Sequence, residues 1–298
     1  MGDMKNILIT GTTGLVGRTL YELFREEGRQ RIFGTSRSGG DSVDYTADLT
    51  SRSSVLGLRR IFQPDVIVHS AAMTKTDICE ENRQDCFNIN VGATENLISV
   101  FPDSKIIFFS TYAVYNTPQG NCDEECDTLA TNHYISTKLE AESRVRAMPD
   151  HIILRPSVIF GYMAYSRESN NYFMQLLDNI RNHRVTRSPT DQFFNPLHVT
   201  VLAHIVQLAV KKNITGLYNV GSNENISKYE FNRMVMKSYG FDTSLLEGIS
   251  SIDLGVKRPS NGTVSSKKIQ NALMYDIPLL ETMIDNLYVS SKGRIGFS

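Results

Sequence analysis

Tyr134 and Lys138 stand four residues apart in the run of residues 133–142. The run reads as the start of a helix, and residues four apart on a helix share a face. A lysine ammonium beside a phenol favours the phenolate, so the spacing predicts a Tyr134 pKa below the usual value of about 10. A tyrosine tuned in this way can give or take a proton near neutral pH. The spacing does not select the residue by itself, because Tyr288 and Lys292 repeat it near the C-terminus. Tyr134 is set apart by its context. Two hydroxyls, Ser110 and Thr111, stand upstream at the end of an apolar run, and a glycine turn opens the chain. Tyr288 reads as part of a short polar tail.

The glycine turn is Gly11-Thr-Thr-Gly14-Leu-Val-Gly17. An apolar, β-branched run, residues 6–10, leads into it, and residues 18–25 follow with helical periodicity. Strand, glycine turn and helix together form the setting of a dinucleotide fingerprint. The glycines let the backbone approach a pyrophosphate, and the helix N-terminus presents free N–H groups to it. Gly11, Thr13, Gly14, Leu15 and Val16 are therefore candidate cofactor contacts. The next strand, residues 31–35, runs into Ser36-Arg37-Ser38 with no carboxylate before Asp41. An acidic residue there would take a ribose 2′-hydroxyl, whereas an arginine accommodates a 2′-phosphate. Arg37 accordingly predicts NADP(H), with NAD(H) as the second choice. Asp48, at the end of a short strand over residues 43–49, is placed to accept from an adenine amino group. The small side chains of Ala71, Ala72 and Thr74 would let a ligand lie against the backbone.

The elements that position these residues alternate. Strands at 31–35, 43–49, 64–69 and 105–109 and helices at 51–62 and 88–97 give an order β-α-β-β-α-β-α-β after the first strand is counted. This order argues an α/β fold: a doubly wound parallel sheet with helices on both faces. Ligands on such sheets bind beyond the C-terminal strand ends. The glycine turn, Arg37, Asp48, residues 71–74 and Ser110-Thr111 all fall there. After residue 161 the alternation weakens. Helices are expected at 174–183, 200–211, 227–239 and 266–273, with Ser227 and Glu230 spaced as a capping box, and a strand at 216–220. The expected domains are a cofactor domain of residues 1–161 plus 197–222 and a smaller, interleaved substrate domain of residues 162–196 plus 223–298.

Bulk properties narrow the partners. The 298 residues carry a net charge of −1, with 41% hydrophobic and 21% charged residues. That balance argues against nucleic acid or a membrane surface as partner. No apolar run reaches the roughly 20 residues of a membrane span, and the first residues lack a signal-peptide layout. Four cysteines in a chain of this length do not make a disulfide framework. Cys122 and Cys126 have no second Cys or His pair beside them, so no metal site is expected. A reducing, cytoplasmic setting follows.

With these residues in place the chain resembles the extended short-chain dehydrogenase/reductase family. The resemblance spans nearly the whole chain. It is carried by the glycine turn, Asp48-Leu49, residues 69–74, Asn90, Ser110-Thr111 with Val114-Tyr115, Tyr134/Lys138 and Leu154-Arg-Pro156-Ser157. Within that family it is most similar to the dTDP-4-dehydrorhamnose reductase branch of nucleotide-sugar 4-ketoreductases. The branch-level signals are residues 71–74, Ser110-Thr111, Asp191-Gln192 through 195–199, and Arg258-Pro259 followed by Ser266-Lys267.

The resemblance implies roles. Tyr134 is the general acid that protonates the sugar carbonyl oxygen, and Lys138 holds the ribose hydroxyls and tunes Tyr134. Thr111 bonds the same oxygen, with Ser110 the alternative. Leu49, Asn90, Pro156 and Ser157 join the cofactor contacts. Arg258 meets the substrate diphosphate, and Asn171 and Gln192 line the substrate loop. The implied partner is a nucleotide-sugar substrate, and a homodimer is the implied assembly. Tyr112 and Ala113 stand where the family's dehydratases carry Asp-Glu, so elimination of water lacks its acid and base. The reductases usually have aspartate where Tyr112 stands. Two further readings use the same residues: a nucleotide-sugar 4-epimerase with tightly bound NAD, and a non-catalytic NADP-binding regulatory subunit like that of methionine adenosyltransferase.

Overall fold

The computed structural model describes residues 4–115, 117–163, 171–254 and 261–291. The first half of the chain runs β1 (Asn6–Thr10), α1 (Leu15–Glu27), β2 (Arg31–Ser36), β3 (Tyr45–Thr46), α2 (Arg52–Ile61), β4 (Val66–His69), α3 (Thr76–Glu81) and α4 (Arg83–Phe87). A π turn over Asn88–Gly92 leads to α5 (Ala93–Val100), β5 (Lys105–Phe109), α6 (His133–Arg146) and β6 (His151–Pro156). Then come β7 (Ile159–Phe160), α7 (Tyr172–Arg181), β8 (Thr186–Pro189), β9 (Phe193–Phe194), β10 (Leu197–His198), α8 (Val199–Lys212) and β11 (Gly216–Val220). The last elements are β12 (Ile226–Ser227), α9 (Lys228–Ser238), β13 (Leu246–Ile249), α10 (Lys267–Leu273) and α11 (Leu280–Ser291). The described residues within 1–114, 129–155 and 203–218 form one compact unit, and those within 115–128, 156–202 and 219–298 form a second.

The first unit is built on a seven-stranded parallel sheet in the order β11-β6-β5-β4-β1-β2-β3. β4 and β5 are buried along their whole length, as is β1 from Ile7 on. That is why these strands read as unbroken apolar runs rather than alternating ones. On one face α2 and α5 set Val55, Leu58, Leu97 and Val100 against Leu8 and Ile67. Elsewhere on the sheet α6 sets Ala141 and Val145 against Ile106, Phe108 and Ile153. Each of these Val, Leu, Ile and Phe side chains, fully buried, contributes about 1.5–3 kcal/mol. The strand order reverses between β1 and β4, which pair Ile7 with Val66 and Thr10 with His69. A crevice at their C-terminal ends is the place where doubly wound sheets bind ligands.

The second unit has three two-stranded sheets, β10-β7, β12-β9 and β13-β8. Its core centres on Phe160, Phe194 and Phe231, with ring centroids 5.1 and 5.6 Å from Phe231. The Ser227 hydroxyl caps α9 by accepting from Glu230 N at 3.1 Å. The Glu230 carboxylate turns to Arg233 instead of back to Ser227, so half of the expected capping box forms.

Several elements differ from the sequence expectation. Only Tyr45 and Thr46 of residues 43–49 pair as strand, because the flanking Asp44 and Asp48 carboxylates bond backbone N–H groups at Gly34 and Thr50. The helix expected over 88–97 starts with the π turn. Tyr288 lies in α11, not in a polar tail. The spacing of Leu280, Met283, Ile284 and Leu287 buries one face of that helix, and the Tyr288 ring packs edge-on against Tyr239 at 4.9 Å. The unit boundaries also shift. Residues 115–128 join the second unit, where Cys122 N donates to Thr263 O at 3.1 Å and Ser265 N donates to Cys122 O at 2.7 Å. Residues 156–161 and 197–202 follow, since β7 and β10 pair with each other.

Candidate active site

The turn after β1 uses its three glycines differently. Gly11 has φ +70°, and a Cβ there would lie 2.8 Å from Ala71 Cα. At Gly17 a Cβ would lie 2.3 Å from Gly11 O. Chain packing demands glycine at both. Gly14 has an ordinary φ of −88°, and a Cβ would meet only Gly11 O at 3.4 Å. Nothing in the chain itself requires glycine there. Gly14 does line a cavity of about 370 Å³ together with Gly11, Thr13, Arg37, Asp48, Leu49, Ala71 and Ala72. No side chain caps the N-terminus of α1, which Gly14 opens, so its backbone N–H groups can serve an anion. A bare glycine, an uncapped helix start and an arginine on one cavity fit a dinucleotide. Asp48 also has a local task, because Oδ1 accepts from Thr50 N at 2.9 Å and Thr50 Oγ1 at 2.7 Å.

The opposite wall, the turn after β4, is held by two networks. Ala71 N donates to Thr10 Oγ1 at 3.2 Å, and Thr10 Oγ1 meets His69 Nδ1 at 2.8 Å. His69 Nε2 meets Thr94 Oγ1 at 3.2 Å, which donates to Asn90 O at 2.8 Å. With each hydroxyl giving its one proton onward, His69 accepts at Nδ1 and donates at Nε2. Asn90 forms the second network. Its Oδ1 accepts from Met73 N at 2.8 Å, and its Nδ2 donates to Met73 O and Thr137 Oγ1, both at 3.0 Å. Thr137 in turn donates to Tyr134 O at 2.8 Å. The π turn presents Asn90 for this task, as such turns often do at sites.

α6 carries the candidate acid, Tyr134, and Lys138. Asn132 caps it by accepting from Ile135 N at 2.9 Å. Tyr134 and Lys138 follow one turn apart, and the Thr111 hydroxyl lies near enough to the Tyr134 phenol to favour its ionised form. Thr111 Oγ1 also accepts from Ala113 N at 3.2 Å. Ser110 is buried, and its Oγ has no hydrogen-bond partner. The Tyr134 phenol is pushed up from its ordinary pKa, chiefly by burial, with the Thr111 hydroxyl acting in the opposite direction. This corrects the expectation of a lowered value. Burial decides the direction, and it also pushes Lys138 down to about 8 against the opposing pull of Glu142 and Cys86. The Lys138 ammonium lies 4.3 Å from the Phe108 ring centroid.

The RmlD substrate binding domain family matches residues 4–290. The chain belongs to that family. Among curated relatives, methionine adenosyltransferase 2 subunit beta of Rattus norvegicus is 29% identical over 280 residues, 89% of this chain and 82% of that one. The dTDP-4-dehydrorhamnose reductase of Aggregatibacter actinomycetemcomitans is 26% identical over 287 residues, 90% of this chain and 93% of that one. The crystal structure of dTDP-4-dehydrorhamnose reductase from Bacillus anthracis, in complex with NADP, superposes with a TM-score of 0.86. It is 21% identical and covers 97% of this chain and 100% of its own.

In this RmlD family chain the remaining candidate residues separate. Leu15 and Val16 form the first turn of α1. Thr74 is exposed just beyond the cavity-lining residues 71–73. Pro156, Ser157, Asn171 and Gln192 fall in the second unit. Asn171 is buried as the cap of α7, accepting from Phe173 N at 3.1 Å and donating to Gly161 O. Gln192 is buried with its Oε1 accepting from Lys228 Nζ at 2.8 Å. These contacts give both amides internal structural work. Arg258 lies outside the described residues. Sequence reading passed over Glu142, Arg155 and the His69 chain. Glu142 carried a signal, because it stands one further helical turn beyond Lys138.

Two buried imidazoles make the fold sensitive to acid. Burial, aided by the nearby Lys138 charge, pushes His69 down to about 3. Burial alone pushes His198 down to about 4. Both are neutral when folded, while in the unfolded chain each takes a proton below about 6.5. The unfolded state then binds more protons, so the stabilisation present above pH 6.5 is lost as pH falls toward 4 and 3. Urea midpoints are expected to decline steadily from pH 7 to pH 4, with the His69 ring resonances unmoved above pH 4.5. A His69 titration near 6.5 by NMR would refute this.

Proposed function

We propose that the chain is an NADPH-dependent reductase of a nucleoside-diphosphate 4-keto-6-deoxysugar. The observation that carries the reading is the pair Tyr134 and Lys138 one turn apart on α6, with the Thr111 hydroxyl acting on the buried phenol. When bound, the reduced nicotinamide supplies hydride to the sugar carbonyl carbon. The glycine turn and the start of α1 would hold the pyrophosphate, and Arg37 would accommodate the 2′-phosphate. Thr111 Oγ1 orients the carbonyl oxygen and offers a hydrogen bond to the negative charge that develops there. Tyr134 Oη hands its proton to that oxygen. The raised phenol pKa suits this direction of reaction, because the acid must hold its proton until the oxygen needs it. Lys138, as an ammonium, favours the phenolate left behind.

Membership of the RmlD family, a dTDP-4-dehydrorhamnose reductase among the relatives and an NADP complex among the structural neighbours support the reading. A homodimeric, cytoplasmic enzyme is the form that goes with it. The identity to methionine adenosyltransferase 2 subunit beta favours a second reading, in which the chain serves as an NADP-binding subunit without turnover. Following NADPH absorbance against dTDP-, GDP- and UDP-linked 4-keto-6-deoxysugars separates the two. Oxidation is expected with one nucleotide series. NADPH binding without oxidation by any of them would move the conclusion to the second reading.

A further inference from the structure

The face of α6 that carries Tyr134 and Lys138 continues, one turn later, in Glu142. Its carboxylate is gripped by Arg155 on β6, with Nε to Oε1 at 2.9 Å and a terminal nitrogen to Oε2 at 2.7 Å. Both side chains are only 2% exposed. Arg146, half exposed, reaches the same Oε2 at 3.2 Å. A buried pair of this kind gains little over apolar residues of similar volume, since desolvation consumes most of the attraction. Its position suggests a task other than stability.

The groups packed around Lys138 define that task. The Phe108 ring faces the ammonium from β5, and neutral His69 on β4 and Cys86 on α4 lie within electrostatic reach of it. Tyr134 precedes it on α6, with the Cys79 thiol and the Tyr112 phenol beyond. Burial pushes the Cys79 thiol up to about 12, so it carries no charge at neutral pH. Of the groups that favour the Lys138 ammonium, Glu142 acts most strongly, ahead of Cys86, and it is the carboxylate. Burial alone would push that carboxyl up, but the Arg155 hydrogen bonds and charge hold it below the usual range.

We propose that Glu142 is a positioning residue, fixed by Arg155, that supplies the counter-charge keeping Lys138 an ammonium beneath Tyr134. The proposal rests on the reading of Tyr134 and Lys138 given above. Lys138 is buried so deeply that neutrality is within reach near physiological pH, and a neutral amine would no longer favour the phenolate left after proton transfer. A fork-bound, buried carboxylate cannot swing away, so the charge stays in register with the lysine.

The test is a lysine side-chain NMR titration of the full, cofactor-free chain, with the Lys138 signal assigned by its loss in Lys138→Arg. Two variants are compared with the wild type, Glu142→Gln and Glu142→Gln/Arg155→Met. The single variant takes the carboxylate charge away from the buried Arg155 guanidinium, which threatens folding and by itself depresses Lys138. The double variant removes that guanidinium and decides the matter. Lys138 is expected to titrate lower in it than in the wild type, though less far down than in the single variant, because loss of the guanidinium offsets part of the loss of the carboxylate. An unmoved Lys138 titration in the double variant overturns the proposal. The readout involves no turnover, so absence of reductase activity would refute the functional reading without touching this result.

Discussion

Tyr134→Phe is expected to lower turnover about a hundred- to ten-thousandfold, the usual worth of a positioned general acid. The change removes one oxygen and keeps the ring, so the fold and NADPH binding should be nearly unaltered. Thr111 loses the neighbouring phenol oxygen but keeps the contact with Ala113 N at 3.2 Å. It can then still orient a carbonyl oxygen, without a proton to follow. Tyr288→Phe shares the four-residue spacing and serves as the control. Tyr288 packs edge-on against Tyr239 in α11, and turnover there should match the wild type. Comparing single-turnover NADPH oxidation in the two variants checks the assignment. Undiminished turnover in Tyr134→Phe would remove Tyr134 from the mechanism.

Gly14→Ala and Gly17→Ala should fail in opposite ways. At Gly17 the new Cβ would sit 2.3 Å from Gly11 O and 2.7 Å from Ser70 Oγ. Backbone must move to admit it, so a loss of about 1–3 kcal/mol of stability is expected from overpacking, partly offset by the better helix propensity of alanine. At Gly14 the nearest neighbour is 3.4 Å away and φ is −88°. Stability there should stay within about 0.5 kcal/mol. The cavity that Gly14 lines would receive the methyl group, and NADPH affinity should fall at least about tenfold, a cost of about 1.4 kcal/mol. Urea unfolding and a fluorescence titration with NADPH read the two effects separately. A Gly14→Ala variant that binds NADPH as tightly as the wild type would show that the turn does not cradle the cofactor.

That contrast marks the boundary between what was legible in the chain and what was not. Three glycines spaced by three were visible, as was the strand before them. Their division of labour was not, since the crowding of Gly11 comes from Ala71 and that of Gly17 partly from Ser70, both far along the chain. The Tyr134 helix was visible from its own residues. The direction of its pKa was not, because it depends on how much water the folded chain removes from around the phenol. Asn171 and Gln192 looked like substrate contacts in polar segments, yet folding turns both inward onto α7 and Lys228. Tyr288 looked like tail because the apolar period of α11 is interrupted by polar residues on its outer face.

By itself the sequence determined the β-α alternation, the parallel sheet, and the strand ends where ligand-facing residues collect. These depend on local rules: apolar runs for buried strands, a 3.6-residue period for helices, and glycine where the chain must turn tightly. Only the tertiary structure decided that Asn90 ties Met73 to Thr137, that burial raises the Tyr134 phenol, and that the Tyr134–Lys138 face ends on a buried Glu142–Arg155 pair. Those are meetings between elements distant in sequence. Their energies come from burial and charge in a shared low-dielectric interior, which exists only after the chain has folded.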